Sequence, residues 1–185
     1  MQDLSAALLQ AIGLLADADS GLYAIIALSL RVSLAAVAVA ALIALPLGAL
    51  VATTRFSGRT GVVVALNALM GLPPVVVGLL VYLALSRAGP LGSLGLLFTP
   101  GAMVVAQTIL IAPILAALAR QVVEDAWSEY SEQLRSLGAS PARVVLTMLW
   151  DTRFSLVTVV LAGFGRAAAE VGGGESVGGN IDGVC

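Results

Sequence analysis

The sequence predicts an all-α membrane protein, a polytopic helical bundle with about four membrane spans. Hydrophobic residues make up 59% of its 185 residues and charged residues only 11%, whereas soluble domains carry roughly 25% charged residues. Four apolar stretches approach the length of about 20 residues that a membrane-crossing helix needs. Short segments that contain arginine separate them. We therefore expect residues 1–185 to form a single transmembrane domain.

Composition excludes several classes of function. The chain has no histidine and no lysine, so all nine basic residues are arginines. Its one cysteine is Cys185. Without histidine or a second cysteine, the usual zinc and thiol sites and an internal disulfide are excluded. No phosphate-binding P-loop motif is present, and a net charge of −2 without a basic cluster argues against nucleic-acid binding. We expect neither enzymatic activity nor a cofactor bound by this chain.

The first third of the chain contains a leader and the first span. Residues 1–20 carry three aspartates and no arginine, so they lack the positive start of a secretory signal. They are predicted to be an outer leader, either a short interfacial helix or a frayed end. Leu22–Leu30 is predicted to lie near the outer interface and Val32–Ala52 to form the first span. The turn that follows carries Arg55 and Arg59.

The middle of the chain contains two further predicted spans. Gly61–Leu85 forms the second, with Pro73 and Pro74 inside it. Proline removes a backbone donor and disfavours a helical conformation at the preceding residue, so a kink is expected there. This kink either shapes a translocation path or only sets the packing of the helices. Residues 86–100 are predicted to be an outer loop, and Gly101–Leu118 the third span.

The distribution of arginine predicts the orientation of the chain. Arg120–Arg153 carries four of the nine arginines, and the turn before the second span adds two more on the same side. Cytoplasmic segments of membrane proteins are enriched in lysine and arginine. This side is therefore predicted to face the cytoplasm, with the N-terminus outside. Residues 121–150 are accordingly a predicted cytoplasmic loop.

Residues 131–150 of this loop, which we call the elbow, predict two helices separated by a sharp break. Four apolar side chains recur at helical spacing and make one face of the first helix. They are Trp127, Tyr130, Leu134 and Leu137. Gly138 is placed to end that helix in a left-handed conformation. Ser140 and Pro141 are typical of a helix start, a capping hydroxyl followed by proline at the first helical position, and the two helices are expected to meet at a steep angle.

The last predicted span, Phe154–Val171, contains two ionisable residues. Arg166 and Glu170 lie four residues apart on a helix and are able to pair. Because charges inside a membrane are costly, such residues are functional candidates, although the pair also fits a structural lock between adjacent helices. A glycine-rich polar segment, residues 172–182, follows and is expected on the outer side.

Three sequence features resemble the permease subunits of ABC importers. Glu132 precedes Gly138 by six residues, which is the spacing of the acidic residue and the glycine in the family's cytoplasmic "EAA" loop. The same loop also departs from the family at one place, since residues 150–151 are Trp-Asp where the family has Leu-Pro. Downstream, the glycine-rich segments that begin at Gly163 and Gly178 are similar to those of oxyanion permeases. The chain most resembles tungstate permeases, and molybdate and sulfate permeases share the pattern.

The resemblance implies an importer subunit that is driven by a separate cytoplasmic ATPase, and the ATP would be bound there. It also implies an extracytoplasmic substrate-binding protein, a second permease copy, surrounding membrane lipid and a location in the prokaryotic plasma membrane. Residues carried over to ATPase coupling are Glu132, Leu134, Arg135, Leu137, Gly138 and Ala139. Candidates for the substrate path are Pro73, Pro74, Arg166 and Glu170. Because the family continues into at least one more span, we expect the chain to lack a C-terminal span.

Other interpretations stay open at this level. The same pattern fits a permease for molybdate, sulfate, methionine or phosphonate. It also fits a non-transporting membrane scaffold, whose function would not depend on the bend at Gly138. An ion channel is disfavoured because no ring of carboxylates and no pore helix stands out in the sequence.

Overall fold

The computed structural model describes residues 20–169, and every regular element in that range is helical. This confirms the predicted all-α fold. The six α-helices, numbered α1 to α6, are Ser20–Thr53, Arg59–Met70, Pro74–Leu85, Pro100–Ser136, Pro141–Asp151 and Arg153–Ala169. A short 3-10 helix, Gly92–Leu94, lies between α3 and α4. Residues 1–19 of the predicted leader and the glycine-rich segment lie outside the described residues.

Two of the described helices are long and apolar enough to cross a membrane by themselves. They contain Tyr23–Thr53 and Pro100–Ser136. Two more spans result if each bent pair of helices crosses as one unit, α2 with α3 and α5 with α6. The predicted number of about four spans is therefore reached when both bent pairs are counted as spans.

Helix α1 runs for 34 residues without interruption. It passes through Arg31, where the sequence suggested a boundary between an interfacial segment and the first span. Arg31 is exposed, so its charge leaves the backbone hydrogen bonds of the helix intact. Pro46 also lies inside the helix. Membrane helices tolerate such a proline when neighbouring groups satisfy the freed carbonyl.

The predicted second span is two separate helices. Their axes differ by 101°, with α2 ending at Met70 and α3 beginning at Pro74. Pro73 has an extended backbone (φ −64°, ψ 134°), and Pro74 occupies the first turn of α3. Two consecutive prolines thus end one helix and begin the next. The predicted kink is a complete break.

Helix α4 extends beyond Leu118, the predicted end of the third span. The helix continues to Ser136 and has 37 residues, which corresponds to a length of about 55 Å at 1.5 Å per residue. The first half of the predicted loop 121–150 is therefore part of this helix. Charged residues from Arg120 onward end the apolar stretch but not the helix, since no glycine or proline occurs between Pro113 and Gly138.

The described part of the fourth predicted span is α6, which begins at Arg153. The axes of α5 and α6 differ by 76°, and Thr152 lies at the bend. The Thr152 hydroxyl donates to the carbonyl of Met148 at 2.7 Å, and its backbone N–H donates to the same carbonyl at 2.9 Å. These two hydrogen bonds to one carbonyl oxygen close the end of α5 where the chain changes direction.

Close packing between α1 and α4 forms the centre of the bundle. Five small residues recur at every fourth position of α1, and all are buried; we call them the small-residue seam. They are Ala36, Ala40, Ala44, Gly48 and Ala52. Opposite them, Ile111 and Leu115 of α4 are fully buried. Small residues at this spacing let two membrane helices approach closely.

Replacing Gly48 by alanine is expected to destabilise the protein. An added Cβ would lie 2.6 Å from the backbone oxygen of Ala116 and 3.0 Å from the Cβ of Ala119. Overpacking costs about 1–3 kcal/mol, more than the gain of up to about 1 kcal/mol in helix propensity. We expect Gly48→Ala to lower the thermal unfolding midpoint of the purified protein in detergent.

Gly61→Ala is the matched control, because a Cβ on Gly61 in α2 meets nothing within 4 Å. This variant is expected to unfold at or above the wild-type temperature. Equal unfolding midpoints for Gly48→Ala and Gly61→Ala would contradict the close approach of α1 and α4.

Candidate functional site

The elbow turns at Gly138, which has the left-handed conformation that the sequence predicts (φ 66°). Its backbone N–H donates to the carbonyl of Arg135 at 3.0 Å, and the N–H of Ala139 donates to the carbonyl of Leu134 at 3.1 Å. These two bonds form a Schellman motif, which satisfies carbonyls at the end of α4. A Cβ on Gly138 would meet nothing within 4 Å. Glycine is therefore favoured here by the backbone conformation and not by a close contact within the chain.

Helix α5 begins at the predicted position, with Ser140 extended (ψ 153°) and Pro141 in the first turn. The Ser140 carbonyl accepts a hydrogen bond from the N–H of Val144 at 3.0 Å. The predicted capping role of the Ser140 hydroxyl is wrong, because this side chain makes no cap hydrogen bond. Ala142 and Arg143 in the first turn are exposed, so this end of the helix is open to solvent.

Apolar side chains join the elbow to α1. The buried cluster beneath it comprises Ala49 and Ala52 of α1, Val123 of α4, and Val144 and Met148 of α5. Trp127, Tyr130 and Leu134 pack against this cluster, in agreement with the predicted apolar face. Leu137, the last residue of the predicted face, is not buried in this cluster and is 79% exposed. It caps the C-terminal end of α4, and no further helical turn covers it.

A small cleft, the elbow cleft, opens between the end of α4 and α5. Its volume is about 170 Å³, and its walls are formed by Tyr130, Gln133, Leu134, Leu137, Thr147, Met148 and Asp151. On the same two helices, Leu137, Leu146 and Trp150 leave 79%, 67% and 72% of their surface exposed. Apolar side chains of the predicted spans, such as Leu42 at 77%, are equally exposed, so what distinguishes the elbow is the combination of exposed apolar side chains with a polar-edged cleft at a bend, a combination that suits a protein contact. The elbow is therefore the candidate functional site.

The structure brings together some of the residues that were predicted to couple to an ATPase. Leu134 and Leu137 line the elbow cleft, and Gly138 and Ala139 form the turn that ends α4. Glu132 is exposed and is not among the residues of the cleft wall. The part that each of these residues has in coupling stays a prediction.

Arg135, the sixth predicted coupling residue, faces a different part of the molecule. The central carbon of its guanidinium lies 5.7 Å from the ring centroid of Trp127, a distance at which a cation is attracted to the face of the ring. Arg135 lines a second, polar cleft on the α1 side of α4 and not the elbow cleft.

The candidate residues for a substrate path lie in separate parts of the chain. Pro73 and Pro74 form the break between α2 and α3. Arg166 is exposed in the last turn of α6, while Glu170, its predicted partner, lies outside the described residues. Pairing between Arg166 and Glu170, and contact of any of the four residues with substrate, stay predictions.

An ion-pair cluster beside the elbow was not predicted. Arg59 donates from Nη2 to Oε1 of Glu124 at 2.6 Å, and Arg120 donates from Nη1 to Oε2 of the same carboxylate. The Nε of Arg59 also donates to the carbonyl of Val51 at 2.9 Å. The cluster, which we call the Glu124 clamp, ties the end of α1 and the start of α2 to α4.

One of the two ion pairs in the Glu124 clamp, between Arg120 and Glu124, could have been predicted from the sequence. Arg120 and Glu124 are four residues apart on one helix, a spacing that favours pairing. Arg59 lies 65 residues before Glu124, and no local pattern links the two. The Nε of Arg120 is buried without a hydrogen-bond partner among the described residues, so this guanidinium depends on its single contact with Glu124.

The fold and the elbow define an α-helical integral membrane protein that presents a bent helical segment at one end. No protein-family model matches the chain. It is 42% identical over 160 residues to the probable anion ABC transporter permease protein of Haloferax volcanii, covering 86% of this chain and 69% of that protein. The chain belongs to the ABC transporter permease family, as its resemblance in sequence predicted.

Two further relatives carry a more specific name. The tungstate uptake system permease protein TupB of Peptoclostridium acidaminophilum is 38% identical over 173 residues, which cover 94% of this chain and 76% of that protein. TupB of Campylobacter jejuni is 43% identical over 112 residues, which cover 60% of this chain and 47% of that protein.

Removing the carboxylate of the Glu124 clamp is expected to destabilise the elbow end of the bundle. Glu124→Gln leaves Arg59 and Arg120 close together without a compensating charge. Because the clamp is partly buried, we expect a loss of about 1–3 kcal/mol, between the values for exposed and buried ion pairs. The measurement is the free energy of unfolding in detergent.

The matched control is Glu129→Gln, which removes one negative charge from an exposed position of the same helix. It is expected to leave stability within about 0.5 kcal/mol of the wild type. If both variants are equally stable, the clamp contributes nothing and its assigned role is wrong.

Proposed function

We propose that this chain is the membrane-spanning subunit of an ATP-driven importer that moves an oxyanion, with tungstate as its substrate, into a prokaryotic cell. The names of its relatives support the substrate class: one is an anion permease and two are tungstate uptake permeases. Membership of the permease family supports the transport role. Molybdate and sulfate are the alternative oxyanions.

The observation that carries this proposal is the way α4 connects the bundle to the elbow. One helix packs against the small-residue seam and continues without a break to the Schellman turn at Gly138. Beyond the turn, α5 packs back onto α4 and α1 through the cluster around Met148. A force applied to the elbow therefore acts directly on the helix that forms the centre of the bundle, and a separate ATPase subunit docked there would supply it.

The proposed orientation places the elbow in the cytoplasm and the N-terminus outside. Six of the nine arginines lie at the elbow end or in the turn between α1 and α2, as the positive-inside rule requires. Since the sequence contains no P-loop motif, ATP would be bound and hydrolysed by the partner ATPase. This chain itself is proposed to bind no cofactor.

The proposed substrate route begins at an extracytoplasmic binding protein that selects the anion and delivers it to the permease. Two copies of this chain would enclose the route, surrounded by membrane lipid. Arg166 and Glu170 are proposed to attract and release the anion, and the break at Pro73 and Pro74 to shape the path. Each of these roles is taken from the resemblance and from the chemistry of the side chains.

Transport by the assembled system is expected to depend on ATP and to favour tungstate. The chain would be reconstituted in proteoliposomes with its ATPase and its binding protein, and uptake of labelled tungstate measured with molybdate and sulfate as competitors. The binding protein is proposed to select tungstate. Unlabelled tungstate should therefore compete at least about tenfold better than sulfate. ATP-dependent uptake of methionine or phosphonate instead of any oxyanion would contradict the proposed substrate.

Coupling through the elbow is expected to fail when the left-handed turn is strained. Gly138→Val places a β-branched residue at φ 66°, a conformation that costs a residue with a Cβ roughly 1–2 kcal/mol. We expect tungstate uptake to fall about tenfold, as about 1.4 kcal/mol in the coupled state implies, while the amount of protein inserted in the membrane stays unchanged.

The matched control at this position is Gly138→Asn, because asparagine adopts the left-handed conformation more readily than other residues with a Cβ. It should retain most of the wild-type uptake. Wild-type uptake by Gly138→Val would contradict the proposed role of the bend in coupling.

A further inference from the structure

A polar cleft lies on the α1 side of α4, away from the elbow cleft. We call it the arginine cleft, and its volume is about 370 Å³. It is lined by Ala52, Thr53, Thr54, Arg55, Arg59, Glu124, Trp127, Ser128, Ser131 and Arg135. Three separate segments therefore contribute to it: the end of α1, the turn into α2 and the second half of α4.

The face of α4 that lines this cleft follows from helical spacing. Glu124, Ser128, Ser131 and Arg135 are four, three and four residues apart, so they stand above one another on one side of the helix. The other acidic residues of this part of α4, Asp125, Glu129 and Glu132, are not part of the cleft wall. Asp125 and Glu129 are turned well away from the centre of this side of the helix. Glu132, four residues after Ser128 and three before Arg135, lies at the margin of the cleft.

The charges in the wall are predominantly positive. Three guanidinium groups and one carboxylate line the cleft. The carboxylate, Glu124, already accepts hydrogen bonds from Arg59 inside the cleft and from Arg120 outside it. Its charge is therefore compensated within the Glu124 clamp, which leaves Arg55 and Arg135 as the cations available to a ligand.

The hydrogen-bond donors available in the cleft can be counted from the structure. The hydroxyls of Thr53, Thr54 and Ser128 donate to backbone carbonyls of their own segments. Within residues 20–169, the side chains of Arg55 and Ser131 donate no hydrogen bond, and Arg135 has only its contact with the Trp127 ring. Two guanidinium groups and one hydroxyl are thus free to bind an acceptor-only ligand.

We infer that the arginine cleft binds a tetrahedral oxyanion with two negative charges, the class to which tungstate, molybdate and sulfate belong. Guanidinium groups bind such anions through paired, charge-assisted hydrogen bonds. The inference rests on the proposed function for this ligand class and for the cytoplasmic position of the cleft. An anion held there bridges Arg55, just before α2, and Arg135, three residues before the turn at Gly138.

A free anion fits the cleft better than the headgroup of a phospholipid. Ala52 and Trp127 are the only apolar residues in its wall, so the cleft offers no groove along which acyl chains would lie. Arg55 and Ser131 come from different segments and line the same polar space. Both side chains are hydrogen-bond donors, and either can bind phosphate or another oxyanion. The ligand is therefore expected to arrive from water.

Trp127 in the cleft wall provides a direct readout of binding. The only other tryptophan, Trp150, is 72% exposed and is not part of the wall, so Trp150→Phe leaves a single reporter. The full chain with this substitution would be placed in phosphatidylcholine nanodiscs and titrated with tungstate, sulfate or phosphate at constant ionic strength. We expect a saturable change in Trp127 fluorescence with each dianion and none with added chloride.

The test variant is Arg55→Gln, which should weaken tungstate binding by about tenfold through the loss of one charge-assisted contact. Arg143→Gln is the matched control, because Arg143 is an exposed arginine of α5 outside the cleft. It should bind tungstate with wild-type affinity.

Three results would overturn the inference. They are a fluorescence change that does not saturate, equal tungstate affinities for Arg55→Gln and the wild type, and a response to phosphatidylglycerol in the nanodisc without any response to the free dianions. The third would identify a lipid headgroup as the ligand, and the second, if Arg55→Gln also loses capture of the ATPase subunit, would identify a protein contact. The proposed function fails separately, when the complete wild-type system takes up no oxyanion.

Discussion

The close approach of α1 and α4 is the constraint on which the rest of the structure depends. Its basis is the small-residue seam, a side of α1 that carries only alanine and glycine at every fourth position. At Gly48 the two backbones are so close that even one methyl group would collide with a carbonyl of α4. In a membrane, where lipid is as apolar as leucine, such packing replaces the hydrophobic effect as the force that joins helices. Helices α2, α3, α5 and α6 all pack against α4, so their positions depend on where this pair places it.

Helix α4 extends this arrangement beyond the apolar part of the bundle. The Glu124 clamp holds it to the end of α1 and the start of α2, and the cluster around Met148 holds α5 against it. The elbow is therefore fixed to the central helix pair by both ionic and apolar contacts. A subunit that acts on the elbow would move α4 together with the turn between α1 and α2, which is also where the arginine cleft lies.

Much of this arrangement was predictable from local patterns. The left-handed turn at Gly138, the helix start at Pro141 and the break at Pro73 follow from the backbone preferences of glycine and proline, which act within a few residues. The continuation of α4 past Leu118 was not part of the span prediction, because the charged residues from Arg120 onward end the apolar stretch and carry no signal for where the helix itself ends. The pairing of Arg59 with Glu124 and the assembly of the arginine cleft join residues far apart in sequence, so they depend on the packing of α1 against α4, which no local pattern specifies.

The central claim is that α4 crosses the membrane as one helix and carries the elbow into the cytoplasm. Its most direct test is the labelling of single cysteines with a membrane-impermeant thiol reagent in intact cells, in a Cys185→Ser background. Ser93→Cys, in the loop before α4, should react from outside, and Ser136→Cys, at the other end of α4, should react only after the cells are permeabilised. If both positions react from the same side, or if the pattern is reversed, α4 does not connect the two sides as proposed.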